Sequence, residues 1–439
     1  MPRTFTELAE VPVDPDRALL HEEGWQSWTP TTAYRLQDRP WRSAAPQFRA
    51  MNYQDPAGLP DGFSGAGLLA LDPGDGGAVR VWAAADRTVA VPEIRAAVHG
   101  DRVVVSADGP VLETTHAGGL QGALGEWAGR YAGIGPIRPA PRIWCSWYHY
   151  FTQVTEADMI ENLDAMDRLE LPVEVVQLDD GYQSEIGDWL TLSDRFDSLA
   201  DLAARIRDRG RRAGIWVAPF LLGARSATLR EHPDWAVGGA SAGHNWDQDL
   251  YGVDATHPAA LAWLTEVFST LRGLGFDFFK IDFVYGAALP GARHDPGLTP
   301  VQAYRQGVSA IRAAVGDAYV LGCGAPILPS IGLVDGMRIG ADIALHYEPE
   351  RGDMTQPSQR TATMNGVARA YQQGRFWVND PDCLVARPEV ERREDWAEHV
   401  ARYGGLRGSS DRLAALDDWG LETTRRTLAT VPPPVPFPG

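Results

Sequence analysis

Beyond residue 142 the chain alternates between two hydrophobic periods. Short apolar runs, IWCSWY, VEVVQL, GIWVAPF, FDFFKID, YVLGC, MRIGAD, FWVND and YGGLRG, read as eight strands. Between most of them apolar residues recur at helical spacing. Leu261, Leu264, Phe268 and Leu271 form one stripe, and Val301, Tyr304, Val308, Ile311 and Val315 form another. A further helix opens at Thr155, with Asp158 three residues on in a near capping box, and continues through Met159, Leu163 and Met166. Gly210, Gly316 and Gly374 fall where helices should end. Eight such alternations predict an α/β fold, a (β/α)8 TIM barrel. The rival, a doubly wound sheet, wants a glycine-rich phosphate loop. Gly322 and Gly324 supply only half of one, because Ile327 holds the third glycine's place.

The pattern changes upstream. VRVWAAA (79–85) and RVVVSA (102–107), set between Gly, Asp and Pro, predict a small antiparallel β-domain. GPIRPAPR (135–142) cannot form regular structure across Pro136, Pro139 and Pro141 and reads as the linker. The expected division is a β-sandwich-like domain over 1–138 and a catalytic barrel over 139–439.

Charge enters this picture at one strand. In FDFFKID, residues 276–282, strand alternation puts Lys280 and Asp282 on the face of Phe276 and Phe278, with Phe279, Ile281 and Phe283 on the other. A strand buried on both sides keeps such a pair at a desolvation cost. A structural ion pair is the plain explanation. The sharper one is chemistry at the C-terminal mouth of a barrel, because other polar residues collect at the same level. They are Trp147, Tyr148, Asp179, Asp180, Trp216, Cys323, Arg338, Asp342, Asn379, Asp380 and Asp382. Two carboxylates across a mouth suit glycosidic bond cleavage, and Trp rings suit the C–H faces of a sugar. Asp179–Asp180–Gly181 also reads as a turn or cap, although Tyr182 and Trp189 bracket it. Arg338, Gly340 and Asp342 alternate onto one strand face, where Arg338 and Asp342 also read as a simple ion pair.

Bulk composition narrows the partners. A formal net charge of −18 argues against nucleic acid and anionic membrane and for a small neutral substrate. No run approaches a membrane span, and the N-terminus lacks a signal-peptide core, so a soluble cytoplasmic protein is expected. Cys145, Cys323 and Cys383 stand far apart, which suits a reducing compartment. The ten histidines form no HExxH and no ligand cluster, so neither metal nor cofactor is expected.

Seven motifs in order then resemble glycoside hydrolase family 36, the α-galactosidases and their relatives. They are WCSWYHY (144–150), QLDDGYQ (177–183) with GDWL (187–190), GIWVAPF (214–220), FKIDF (279–283), GCGAP (322–326), MRIGAD (337–342) and NDPDCL (379–384). GWQSWTP (24–30) is similar to the family's N-terminal loop that brings a tryptophan to the sugar. The resemblance implies Asp282 as nucleophile and Asp342 as general acid and base. It implies Lys280, Asp179 and Asp180 at the hydroxyls around C3, C4 and C6, and Cys323 and Arg338 at the 2-hydroxyl. Trp147, Tyr148 and Trp216 would line the pocket, with Trp25 or Trp28 as a lid. Lys280 beside Asp282 favours an ionised nucleophile, while Asp342 must hold its proton near neutral pH.

The implied activity is a retaining exo-α-galactosidase acting on small oligosaccharides or other α-galactosides. A raffinose-synthase-like transferase, a hydrolase of a related α-sugar, and a non-catalytic sugar-binding protein are the alternatives. KIDF and DDGY stand where KWD-type and DDGW motifs are commoner in the family, beside the sugar itself. The family's N-terminal β-domain is usually larger and a C-terminal antiparallel domain usually follows the barrel. A homo-oligomer stays open.

Overall fold

The computed structural model describes residues 3–438. Eight parallel strands follow one another around a barrel: β1 (Arg142–Cys145), β2 (Val175–Leu178), β3 (Arg212–Val217), β4 (Phe276–Ile281), β5 (Tyr319–Gly322), β6 (Gly336–Arg338), β7 (Val378–Asp380) and β8 (Arg407–Ser409). β8 pairs with β1, and the N–H groups of Gly405 and Leu406 each donate to Asn379 O over 3.0 Å, which joins β7 to β8. All eight strands coincide with the apolar runs of the sequence. Their interior is filled by side chains such as Phe278 and Tyr319, which stack face to face at 5.4 Å.

The helix signals act as expected. Thr155 and Asp158 form a full capping box at Glu156–Arg168, and Thr299 with Gln302 forms another at Pro300–Val315. Gly210 and Gly316 end helices at positive φ. Gly374 instead closes a 3-10 turn, where the C-terminal Val435 packs against its backbone.

Two antiparallel sheets precede the barrel. One has the order Thr6–Pro12, Arg102–Ala107, Glu93–His99, Phe63–Ala66; the other has Thr32–Arg35, Leu19–Glu22, Leu68–Asp72, Val79–Ala84, Val111–His116. Strand alternation makes the second sheet face both ways. Leu69 and Leu71 pack into the core between the sheets, while Leu68 and Ala70 pack with the barrel.

Two corrections concern local backbone. β6 stops at Arg338, so Asp342 reaches the mouth on a loop and not by strand alternation. Phe283 leaves the strand in the left-handed region, φ 50°, and turns into the cavity instead of covering the outer face of β4.

Candidate active site

A cavity of about 480 Å³ opens at the C-terminal ends of β1–β4 and β6. Trp147, Asp179, Asp180, Trp216, Lys280, Asp282 and Asp342 line it together, and of the two N-terminal tryptophans Trp28 lines it while Trp25 packs in the core. Tyr148, Cys323, Arg338 and Asp382 are buried and do not line it. Asn379 is also buried, and donates to Arg369 O over 3.1 Å. Asp380, buried too, accepts from Asp382 N over 3.0 Å.

Each of two carboxylates has one cation and one indole. Asp282 continues the ladder of β4, its N–H donating to Val217 O over 2.9 Å. Its Oδ2 accepts from Trp216 Nε1 at 3.0 Å and lies 3.7 Å from Lys280 Nζ. Asp342 Oδ1 accepts from Arg338 Nη2 at 2.7 Å, and its Oδ2 accepts from Trp147 Nε1 at 3.3 Å. Trp147 and Tyr148 are placed by a single helical turn, Trp147–Tyr150, directly after β1. Arg338 also pairs with Asp382, which in turn accepts from the Tyr148 hydroxyl.

The floor is a polar chain. Lys280 Nζ donates to Asp179 Oδ2 over 3.0 Å, and Gln177 Nε2 donates to the same oxygen over 2.6 Å. Asp180 accepts from Gln183 Nε2 at 2.6 Å and Trp246 Nε1 at 2.7 Å. Both aspartates precede Gly181, where a φ of 125° and the 2.7 Å that would separate an added Cβ from Thr152 O leave no room for a side chain.

Electrostatics follow burial. Burial would lower Lys280, but Asp179 and Asp282 hold it well above its usual range, so it stays charged. Burial raises the Asp282 carboxyl, with Asp342 adding to the effect and Lys280 and Trp216 opposing it. Asp282 therefore holds its proton more firmly than the adjacent lysine alone implies. Burial likewise lifts Asp180 to about 6, opposed by Gln183 and Trp246. The Cys323 thiol is raised by burial and remains neutral.

Sequence reasoning missed several walls. Trp246 comes from a hairpin inserted between β3 and β4, where His244–Asn245 pairs with Gln248–Gly252. Its turn residues Trp246 and Asp247 are both left-handed, φ 49° and 52°, as a tight primed turn requires. Met51 and Asn52 come from the N-terminal helix Pro46–Asn52, and Thr355 and Gln356 from the loop after β6. Half-exposed Phe151 meets Trp147 edge-on at 5.2 Å. Among the described residues no cluster of His, Cys, Asp and Glu could hold a metal, and no helix is long and apolar enough to cross a membrane.

The melibiase family model matches residues 138–308. The α-galactosidase TtGalA of Thermus thermophilus, solved in complex with stachyose, is 30% identical, covers 97% of this chain, is itself covered to 93%, and superposes with a TM-score of 0.82. The family 36 α-galactosidase AgaA of Geobacillus stearothermophilus shares the fold, with a TM-score of 0.65 at 14% identity over 96% of this chain and 61% of its own. Among curated relatives, the bifunctional α-galactosidase/sucrose kinase AgaSK of Mediterraneibacter gnavus is 32% identical over 102 residues, 21% of this chain and 10% of its own length. The α-xylosidase XylQ of Lactiplantibacillus pentosus is 28% identical over 143 residues, 30% of this chain and 18% of its own. The match thus spans less than a fifth of either curated relative.

Proposed function

Because the chain belongs to the melibiase family, the glycoside hydrolases of family 36, we propose that it is a retaining exo-α-galactosidase acting on small galactosides. The observation that carries this reading is the pair Asp282 and Asp342 in one cavity, each carboxylate with its own cation and its own indole N–H. Asp282 attacks the anomeric carbon, and Asp342 gives its proton to the departing oxygen. A β-linked galactosyl ester on Asp282 results. Asp342, now ionised, draws a proton from water, which opens the ester and returns the α-sugar.

Arg338 suits the second half of this cycle, since it stabilises the Asp342 carboxylate at 2.7 Å. Its other partner, Asp382, keeps the guanidinium neutralised when Asp342 is protonated. Lys280 plays the same part for Asp282. Asp179, Asp180 and Lys280 hold sugar hydroxyls, while Trp216, Trp246 and Trp28 supply apolar walls. Cys323 and Arg338, beneath the lining, are assigned to the 2-hydroxyl side. Walls from the N-terminal helix, the inserted hairpin and the loop after β6 favour a single terminal residue, hence exo action. Three buried free cysteines support a reducing, cytoplasmic setting.

The local likeness to α-xylosidases favours a second reading, a related α-glycoside without the C6 hydroxymethyl group. Nitrophenyl α-galactoside, α-xyloside and α-glucoside separate the two. The expected result is turnover of the galactoside well above both others, with α-galactose as first product by NMR. Preference for the xyloside supports the second reading, and a β-sugar as first product contradicts the retaining mechanism.

A further inference from the structure

Arg369 lies outside the cavity, fully buried, directly after the helix Gln359–Ala368. Every guanidinium nitrogen is engaged. Nε donates to Glu23 Oε1 at 2.7 Å, and Nη1 donates to Ser27 O and, at 3.0 Å, to Ile339 O. Nη2 donates to Thr31 Oγ1 at 2.7 Å and Gln26 O at 3.1 Å. All but Ile339 belong to the N-terminal loop that carries Trp28 into the cavity. Ile339 follows Arg338 and starts the loop that presents Asp342.

A buried ion pair such as Arg369–Glu23 adds little net stability over an apolar replacement. A planar fork that reaches several carbonyls at once does something an apolar residue cannot, because it fixes the register of the loop. The partners are themselves anchored on the barrel. Glu23 Oε2 accepts from the Tyr371 hydroxyl at 2.7 Å, and Thr31 N donates to Asn365 Oδ1 at 2.8 Å. Trp28 then packs edge-on against Phe283 at 4.7 Å and against Gly324, where an added Cβ would fall 2.8 Å from the indole.

Resting on the roles given above to Trp28 and Asp342, we infer that Arg369 is a positioning residue that locks the Trp28 loop and the Asp342 loop at one separation. The roof of the sugar site is thereby a built wall and not a moving lid. The test compares R369K, T31V and, as a control, R212A, which loses the Asp277 pair at the opposite end of the barrel. Melting temperature, KM for nitrophenyl α-galactoside and the inhibition constant of galactose are measured for each. R369K should raise KM and the galactose constant together by ~10-fold or more, since small misplacements of positioning groups carry such losses. T31V should shift both in the same direction by less, and it carries the test alone should R369K fail to fold. R212A should lower the melting temperature without moving either constant.

Wild-type KM and galactose inhibition in a destabilised R369K or T31V would overturn the proposal, as would equal shifts in R212A. A wild-type enzyme that neither cleaves α-galactosides nor binds galactose would instead overturn the functional reading, and the role of Arg369 with it.

Discussion

The indole nitrogen of Trp216 donates to Oδ2 of Asp282 across 3.0 Å, joining the neighbouring strands β3 and β4 at the mouth of the barrel. This bond and Lys280 oppose the burial that raises the Asp282 carboxyl. The nucleophile must be ionised to attack, so the acid limb of kcat/KM reports it. Trp216→Phe keeps the ring and deletes the donor. Asp282 then titrates higher, and the acid limb should move to higher pH. A limb that stays in place, or moves down, contradicts the role of that bond.

Asp180 offers a second pH test. Its carboxyl titrates near 6 because burial disfavours the charge. A sugar hydroxyl donates to the ionised form, so affinity is complete above this value and lost as pH falls through it. The inhibition constant of galactose should therefore rise below pH 6 in the wild type. In Asp180→Asn that slope should vanish and affinity at pH 7 should fall by ~30-fold or more, because an NH2 donor replaces one accepting oxygen and a buried donor loses its partner. A stability loss without an affinity loss would reduce Asp179–Asp180 to a turn.

Asp342 is tested through the leaving group. Asp342→Ala should slow melibiose-type substrates by ~10² to 10⁴-fold, the usual contribution of general acid catalysis, and a dinitrophenyl galactoside much less. Arg338 keeps Asp382, so the barrel should hold. Azide, which needs no base, should restore turnover of the activated substrate and give the α-azide by double inversion. A β-azide, or equal losses for all leaving groups, would remove Asp342 from this role.

Glu23 links the roof to stability. Although burial would raise it, Arg369, His21 and Tyr371 hold its carboxyl at about 2, well below the ordinary 4.5. A depressed carboxyl stabilises the fold above pH 4.5 and loses that contribution as pH falls towards 2. Acid unfolding of the wild type should steepen in this window, and Glu23→Gln should flatten it. An unchanged slope would show that the pair contributes nothing to acid stability.

The barrel was legible because its signals are local. Period, capping boxes and glycines at helix ends report on neighbours in sequence, so all eight strands and the helix from Thr155 appear without tertiary information. Lys280 and Asp282 were legible for the same reason. Asp342 was identified by a faulty route, since the loop after Arg338 and not strand alternation brings it in. The walls were illegible because they come from far away. Met51 and Asn52 cross from the N-terminal helix. Trp246 stands in a turn where Trp-Asp replaces the Asn-Gly that would signal a hairpin. Arg369 carries no local signal, as all its partners but Ile339 lie about 340 residues upstream. Lys280 does favour the ionised form of Asp282, but burial, the largest influence on that carboxyl and an opposing one, is a property of the folded site and leaves no mark in the sequence.

The covalent step on Asp282 is the central claim, and trapping tests it most directly. An activated fluoro-galactosyl fluoride should inactivate the enzyme with time, and galactose should protect. Peptide mass analysis should place one fluoro-galactosyl group on the peptide carrying Asp282, and Asp282→Asn should neither be labelled nor retain more than ~10⁻⁴ of wild-type kcat. A label on Asp342, or an unlabelled enzyme that still turns over, would contradict it.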